Sequence, residues 1–386
     1  MPKVPVLGDV TLTGWVVAAG GVVGLVVGSL FSWAELLVLG LACLAGFTLG
    51  LLAVRIPRSD RYTLTAGPTR TTVGGRLGAR VEVVAAGLPL LGPELRIPTG
   101  QGLQRLRLPL LRPGHRHLET LEIAAVRRGV HEIGPVQRVI GDPLGVCRIL
   151  AEVTDTVEVF VRPFTTPLGA LAPGMVNDLE GVPSDQLSVS DLAFHALREY
   201  VRGDDLRHVH WKSSARAERL LVRQYQETRR SSAVVLIDTA SRSYANDDDL
   251  ETAVSAAASV MMRALQDDFD VTFGWDDLSV FSDASHPDPL LDATCRVELQ
   301  PVDNLKLAVS RATTNAGGAS LVVLVSGGKR RLVDLTLAVN AFALEAQRIV
   351  IRVDGAGRTT MQEHRGQRVL TLSRLDHLGP LLAEGR

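Results

Sequence analysis

The sequence lacks several features that would point directly to a reaction or a nucleic-acid partner. Only three of its 386 residues are cysteines, at positions 43, 147 and 295, so neither a disulfide framework nor a cysteine metal site follows. Acidic and basic residues nearly balance, at 42 and 41. Nucleic-acid binding generally needs a clear positive excess, so we expect no nucleic-acid partner.

Two motifs of catalysis are also missing. No Gly-rich loop ends in Lys-Ser or Lys-Thr, which argues against ATP binding by this chain. No Gly-x-Ser-x-Gly elbow presents a nucleophilic serine. We therefore predict a protein that is not an enzyme and has no cofactor. A hydrolase that uses Ser213, Ser214 or Ser243 stays open as an alternative, because such a nucleophile requires a base and an oxyanion pocket in three dimensions.

Two uncharged apolar runs follow a tail of residues 1–13. The runs cover residues 14–31 and 36–54, and each is long enough to cross a hydrocarbon core of about 30 Å as a helix. The four residues between them predict a tight antiparallel hairpin. Small residues on one face of each helix would allow close packing in lipid, namely Gly20, Gly24 and Gly28 in the first and Gly46 and Gly50 in the second.

Arginine placement predicts the orientation of this hairpin. The connection between the two runs has no basic residue, whereas six arginines follow the second run between positions 55 and 80. The excess of positive charge on cytoplasmic flanks predicts a cell-membrane protein with both termini in the cytoplasm. A cleaved signal peptide followed by a single anchor is the alternative.

The remainder of the chain changes character twice. Residues 61–163 contain short strand-like runs separated by turn residues, which predicts a β-sandwich of Ig-like type. Residues 164–196 are rich in Pro, Gly, Ser and Asp and are predicted to be a linker. In residues 229–386 buried strands alternate with helices, which predicts a doubly wound α/β domain. Ligands of such sheets bind at the carboxyl ends of the strands, which directs attention to Asp238 and Ser326.

The loop after Asp238 partly matches the metal site of a von Willebrand A-like domain. That site needs Asp-x-Ser-x-Ser, but the third and fifth positions here are Ala240 and Arg242. The hydroxyl groups come one position late, at Ser241 and Ser243, and Ser326 stands where a further aspartate is often found. We therefore expect no metal, and keep a divalent-cation site at Asp238, Ser241 and Ser243 as the alternative.

The densest cluster of charge lies in residues 197–228, which we call the signature segment. Arginine forks hold carboxylates in a fixed geometry, so these residues either lock the segment in place or form a partner-binding face. The residues chosen as candidates for these roles are Arg198, Tyr200, Gly203, Asp204, Arg207, Trp211, Ser214 and Arg216.

These residues closely resemble the signature of the "domain of unknown function 58" family of bacterial membrane proteins. The upstream Asp142-Pro143-Leu144-Gly145 turn and the N-terminal hairpin are also similar to that family's pattern. The resemblance implies a membrane-anchored protein with a von Willebrand A-like C-terminal domain and a partnership with MoxR-type AAA+ ATPases. It implies no reaction, no particular client and no oligomeric state.

Overall fold

The computed structural model describes residues 10–54, 60–87, 92–142, 144–171, 192–201, 209–227, 231–364 and 366–384. Over these residues the chain has the predicted order of an apolar helix pair, a strand-rich region and an α/β region. It divides into two compact units, residues 1–162 and 163–386.

The first unit begins with two apolar helices, α1 (Leu12–Phe31) and α2 (Ala34–Val54). Thr11 caps α1 by accepting a hydrogen bond from the amide of Gly14, and Ser32 ends it in the left-handed conformation. Both helices are long and apolar enough to span a membrane. Their outward apolar side chains are mostly exposed, because the helices contact mainly each other.

Glycines bring the two helices together, and Gly24 and Gly28 of the predicted face of α1 take part. A Cβ atom on Gly40 would lie 2.8 Å from the carbonyl oxygen of Gly21, and a Cβ on Gly24 would lie 3.2 Å from the Cα of Gly40. Gly28 approaches the backbone of Leu37 in the same way. Gly20 has open space around it, so the contact face includes Gly21 in place of Gly20.

In the part of the first unit that the structure describes, ten strands form three small sheets, in the orders β1-β3-β6, β2-β10-β7 and β5-β4-β8-β9. Alternate residues of β3 point inward, from Leu77 to Val83, which is the pattern of a strand with one face on a core. The strands are β1 (Arg61–Ala66), β2 (Arg70–Thr72), β3 (Arg76–Val84), β4 (Glu94–Thr99), β5 (Gly102–Arg107), β6 (Arg116–Ala124), β7 (Gly129–Ile133), β8 (Gln137–Gly141), β9 (Arg148–Glu152) and β10 (Val157–Arg162).

The second unit begins with an extended segment, residues 163–171, which falls largely in the predicted linker but packs on the helix α4 (Asp247–Gln266). Leu168 and Leu171 are buried in the same core as α4. The amide of Thr166 donates to the Ser259 hydroxyl at 3.0 Å, and Arg263 donates to the carbonyl of Leu168 at 3.3 Å. These contacts fix the segment to the α/β unit.

The described residues of the signature segment, together with residues 192–196 before it, form a small antiparallel pair of strands and a short helix. The strands are β11 (Leu192–Glu199) and β12 (Leu221–Glu227), and the helix is α3 (Trp211–Ala217). A two-stranded pair of this kind is marginally stable alone, so it depends on what packs around it.

A seven-stranded sheet forms the core of the second unit, in the order β15-β14-β13-β16-β17-β19-β18. Successive residues of β13 point to opposite faces: Val235 packs with α4, and Val234 packs with α6 and α7. The sheet is therefore covered by helices on both faces, as a doubly wound arrangement requires. The remaining elements are β13 (Ser232–Ile237), β14 (Asp270–Trp275), β15 (Leu278–Ser282), α5 (Asp288–Thr294), α6 (Leu305–Ala316), β16 (Leu321–Gly327), α7 (Leu332–Val339), β17 (Gln347–Val353), β18 (Thr360–His364), β19 (Gln367–Leu372) and α8 (Leu378–Glu384).

Candidate functional site

Asp238 lies at the carboxyl end of β13, where it is almost completely buried. Its Oδ2 atom accepts hydrogen bonds from the hydroxyls of Ser243 at 2.6 Å and Ser326 at 2.7 Å. Its Oδ1 atom accepts from the amide of Ala240 at 3.1 Å. Ser326 occupies the position where the metal motif often has a further aspartate. Its hydrogen bond to this carboxylate joins the ends of β13 and β16.

A buried arginine supplies the positive charge beside Asp238. Arg330 follows β16, and its Nη1 atom lies 3.8 Å from Asp238 Oδ2 and 2.9 Å from Asp303 Oδ1. Arg242 forms a second ion pair with Asp303 from the exposed side. Burial opposes ionisation of Asp303, but Arg330 and the amide of Leu305 outweigh it and hold the pKa of this carboxyl below its ordinary value.

Tyr244 also contacts Asp238. Its hydroxyl donates to the backbone carbonyl of Asp238, and its ring is buried. Burial raises the pKa of Tyr244 well above its usual value, and the neighbouring carboxylates of Asp238 and Asp249 raise it further. The tyrosine is therefore a neutral hydrogen-bond donor in the folded protein.

These side chains fit a divalent cation poorly. A hard cation needs several oxygen ligands with free lone pairs, but both oxygens of Asp238 already accept hydrogen bonds. The Ser243 hydroxyl donates to Asp238, Ser241 is exposed, and the guanidinium of Arg330 lies close enough to repel a second positive charge. Among the described residues no group of three or more His, Cys, Asp or Glu side chains comes together as a metal site.

Ser214 holds the signature segment together. Its hydroxyl donates to the carbonyl of His210 at 3.0 Å and accepts from the amide of Leu221 at 2.9 Å, so it joins the start of α3 to β12. His210 caps α3, because its Nδ1 atom accepts from the amide of Ser213 at 3.2 Å. The polar atoms of Ser214 and His210 therefore support the backbone, which is a structural use and not that of a nucleophile and base.

The outer surface of α3 carries the exposed residues of the segment. Trp211 is 64% exposed, and Lys212 and Arg216, which are also exposed, lie one turn apart on the same helix. We call the exposed residues Trp211, Lys212, Ala215 and Arg216 the α3 face. An aromatic ring among basic groups on a surface is the composition found at binding hot spots.

The other candidate residues of the segment are only partly described. Tyr200 is half-buried, and its amide donates to the carbonyl of Leu220 at 2.9 Å. Arg198 pairs in register with Val222 across the two strands. Gly203, Asp204 and Arg207 lie outside the described residues.

Residues 196–272 match the family model described as "Protein of unknown function DUF58". The chain is also 28% identical over 235 residues to the uncharacterized protein YeaD of Bacillus subtilis. Both matches support the DUF58 family. The alignment to YeaD covers 56% of this chain and 56% of that protein, so the chain spans about half the length of the curated relative that it matches.

The DUF58 match contains the α3 face, Asp238, Ser243 and Tyr244, whereas Asp303, Ser326 and Arg330 come from later in the chain. Sequence reasoning did not include Asp303 or Arg330, because no local motif links them to Asp238. A cluster of basic residues directly after the Ser-Gly-Gly turn of β16 is the one sequence signal that could have pointed to Arg330.

Solved structures resemble this chain only remotely. A CARDB domain from Pyrococcus furiosus has a TM-score of 0.22 and 15% identity, covering 27% of this chain and 93% of that one. The DNA glycosylase AlkC of Pseudomonas fluorescens has a TM-score of 0.20 and 15% identity, covering 33% of this chain and 38% of that one. A β-glucosidase of Listeria innocua has a TM-score of 0.18 and 12% identity, covering 27% of this chain and 16% of that one. Likenesses this weak support no argument about fold or function.

Proposed function

We propose that this chain is a membrane-anchored, non-enzymatic interaction module whose α3 face binds a partner protein. The observation that carries the proposal is the exposure of Trp211, Lys212 and Arg216 on one short helix within the DUF58 match. A tryptophan buries about 150–250 Å² of surface in a contact, and tryptophan and arginine dominate interface energetics. Burial of such a group against a partner protein would therefore contribute strongly to binding.

The resemblance of the signature segment suggests a MoxR-type AAA+ ATPase as the partner, in the maturation of a protein or complex. On this proposal α1 and α2 span the cell membrane with both termini in the cytoplasm, as the arginines that follow α2 favour. The strand-rich region is then an Ig-like sandwich and the α/β region a von Willebrand A-like domain. The mixed sheet with helices on both faces is compatible with the second assignment.

The Asp238 cluster favours this proposal over the alternatives of metal-dependent binding or hydrolysis. Ser243 and Ser326 are fully buried and donate to Asp238, so neither offers an accessible nucleophile. The carboxylate is already engaged by these hydroxyls and by Arg330. We assign the cluster a structural role: it holds the strand ends of the α/β region together.

Binding of the full chain in lipid nanodiscs to a purified MoxR-type ATPase tests the proposal. Truncating a hot-spot residue costs about 2 kcal/mol or more, so Trp211→Ala is expected to weaken binding by about 30-fold. Arg216→Ala should weaken it less, because a rim charge contributes less than a buried anchor.

Matched controls are available in the same unit. Phe281 is also 64% exposed but lies on the edge strand β15, and Arg311 is an exposed arginine on α6. Phe281→Ala and Arg311→Ala should leave binding unchanged. The proposal fails if the wild-type chain does not bind, or if the controls weaken binding as much as Trp211→Ala does.

A further inference from the structure

A turn of the strand-rich region reaches the helix pair and packs along it. Asp142 and residues 144–147, which connect β8 to β9, form this turn, and we call them the interface turn. A Cβ on Gly14 of α1 would lie 2.4 Å from the carbonyl oxygen of Val146, and a Cβ on Gly50 of α2 would lie 3.1 Å from the Cβ of Val146. Gly14 and Gly50 therefore allow the turn to pack closely against both helices.

The depth of the turn along the helices follows from these contacts. Gly14 and Gly50 both approach Val146, so the exposed Trp15 of α1 lies at about the same level as Gly50. Gly46 is four residues closer to the middle of α2, which is about 6 Å along the axis at about 1.5 Å per residue. A Cβ on Gly46 would lie 3.4 Å from a methyl carbon of Leu144.

Tryptophan side chains prefer the boundary between headgroups and hydrocarbon. With Trp15 at that boundary, the side chain of Leu144 extends about 6 Å to its hydrocarbon side. Leu144 is nevertheless 59% exposed. An exposed leucine at this depth contacts lipid and not water.

Several polar groups of the interface turn are paired within the unit. The Asp142 carboxylate accepts from the amides of Leu144 at 2.9 Å and Cys147 at 2.6 Å, and the Asp142 carbonyl accepts from Gly145 at 3.1 Å. Thr11 donates to two further carbonyls of the turn. Its hydroxyl donates to the carbonyl of Gly145 at 2.6 Å, and its amide donates to the carbonyl of Val146 at 2.9 Å. Unpaired backbone groups are costly in hydrocarbon, so these hydrogen bonds lower the cost of placing the turn at the headgroup–hydrocarbon boundary.

We propose that the interface turn inserts into the bilayer beside α1 and α2 and is a third, non-helical membrane anchor of the strand-rich region. The inference rests on the proposed membrane span of the two helices. Its ligand is the lipid at the headgroup–hydrocarbon boundary, which Leu144 contacts directly. The strand-rich region is therefore held against the bilayer, not suspended from a free tether.

Fluorescence quenching of the full chain in liposomes tests this proposal. A polarity-sensitive NBD label is attached at Leu144→Cys in a Cys43→Ala background, since Cys147 and Cys295 are buried. The quenchers are phosphatidylcholines with a doxyl group either near the headgroup or deep in the acyl chain, and iodide in the water. The label at position 144 is expected to have blue-shifted emission, lose intensity with the doxyl group near the headgroup and resist iodide.

Two matched positions make the outcomes distinct. Val23→Cys on α1 is 59% exposed and reports on the membrane span itself. Leu103→Cys on β5 is 48% exposed and lies at the opposite end of the β5-β4-β8-β9 sheet from the interface turn, so iodide should quench it. If the label at 23 is quenched by lipid but the label at 144 by iodide, the turn proposal is overturned while the membrane span stands. If the label at 23 is not quenched by lipid, both proposals fail.

Discussion

Removing the Asp238 carboxylate should strongly destabilise the α/β unit. In Asp238→Ala three buried donors lose their acceptor: the hydroxyls of Ser243 and Ser326 and the amide of Ala240. Each buried donor left unpaired costs about 1–3 kcal/mol, although the hydroxyls can rotate toward other acceptors. Arg330 also loses a carboxylate at 3.8 Å but keeps Asp303 at 2.9 Å. We expect a total loss of about 3–6 kcal/mol, a large share of the stability of a typical domain.

Graded variants separate the contributions. Asp238→Asn keeps one oxygen acceptor and the side-chain volume, so it should lose less than Asp238→Ala. Ser326→Ala removes a single hydrogen bond and should cost about 0.5–1.5 kcal/mol. Hydrogen exchange of the full chain in detergent, followed by mass spectrometry of β13 and β16, measures these losses, with β6 of the first unit as the internal reference.

A small effect would refute this reasoning. If Asp238→Ala changes the exchange free energy of β13 by less than about 1 kcal/mol, the hydrogen bonds are not the source of stability. Protection of the wild-type strands by millimolar Mg²⁺, lost in Asp238→Ala, would contradict the structural role in a different way. It would show that the carboxylate binds a cation, despite Arg330.

Three further predictions concern other contacts. The pKa of Tyr244 is raised in the folded protein, so above about pH 10 only the unfolded chain readily loses this proton. The stability of the folded protein should therefore fall as the pH rises above that value. Alkaline unfolding should show a smaller fall for Tyr244→Phe. Gly40→Ala should separate α1 from α2, measured as lost crosslinking between helix cysteines, whereas Gly20→Ala should have no effect because open space surrounds it. Arg138→Ala leaves the buried carboxylate of Asp60 without its ion pair, so the free energy of unfolding in urea should fall by about 3–5 kcal/mol. A fall below about 1 kcal/mol would show that water reaches this pair.

The sequence predicted the elements whose pattern is local. The two apolar helices appear close to their predicted bounds, and β13 and β16 are buried strands of the kind expected in residues 229–386, because hydrophobic periodicity directly reflects burial. The strands at the two edges of the α/β sheet were not predicted. The antiparallel edge strand β15 has only five residues and β18 is mostly exposed, so neither has the continuous apolar run of a buried strand.

The candidate site was harder to predict, since its geometry depends on residues far apart in the chain. The loop after Asp238 matches the metal motif poorly, and the motif indicated no partner for Ser326. Its hydroxyl reaches Asp238 only because β13 and β16 are neighbours in the sheet. Arg330 follows β16 and comes near Asp238 because of the same strand pairing, and the basic run after β16 is the one sequence signal for it.

Helix faces show a similar limit. A helix has about 3.6 residues per turn, so glycines at intervals of three or four residues on α1 suggest more than one face. Gly20 and Gly21 are both available, and only the packing against Gly40 selects Gly21. Gly46 and Gly50 were predicted to serve the helix pair, but they make room for Leu144 and Val146.

The short connection between α1 and α2 limits what can act on this protein from across the bilayer. Only Ser32 and Trp33 separate the two helices. If the hairpin spans the membrane, a soluble ligand on the far side finds almost no surface there to bind. A signal that acts through α1 and α2 must then come from within the membrane. Another helix could pack against them in the bilayer, or a change in bilayer thickness could alter the tilt of the two helices.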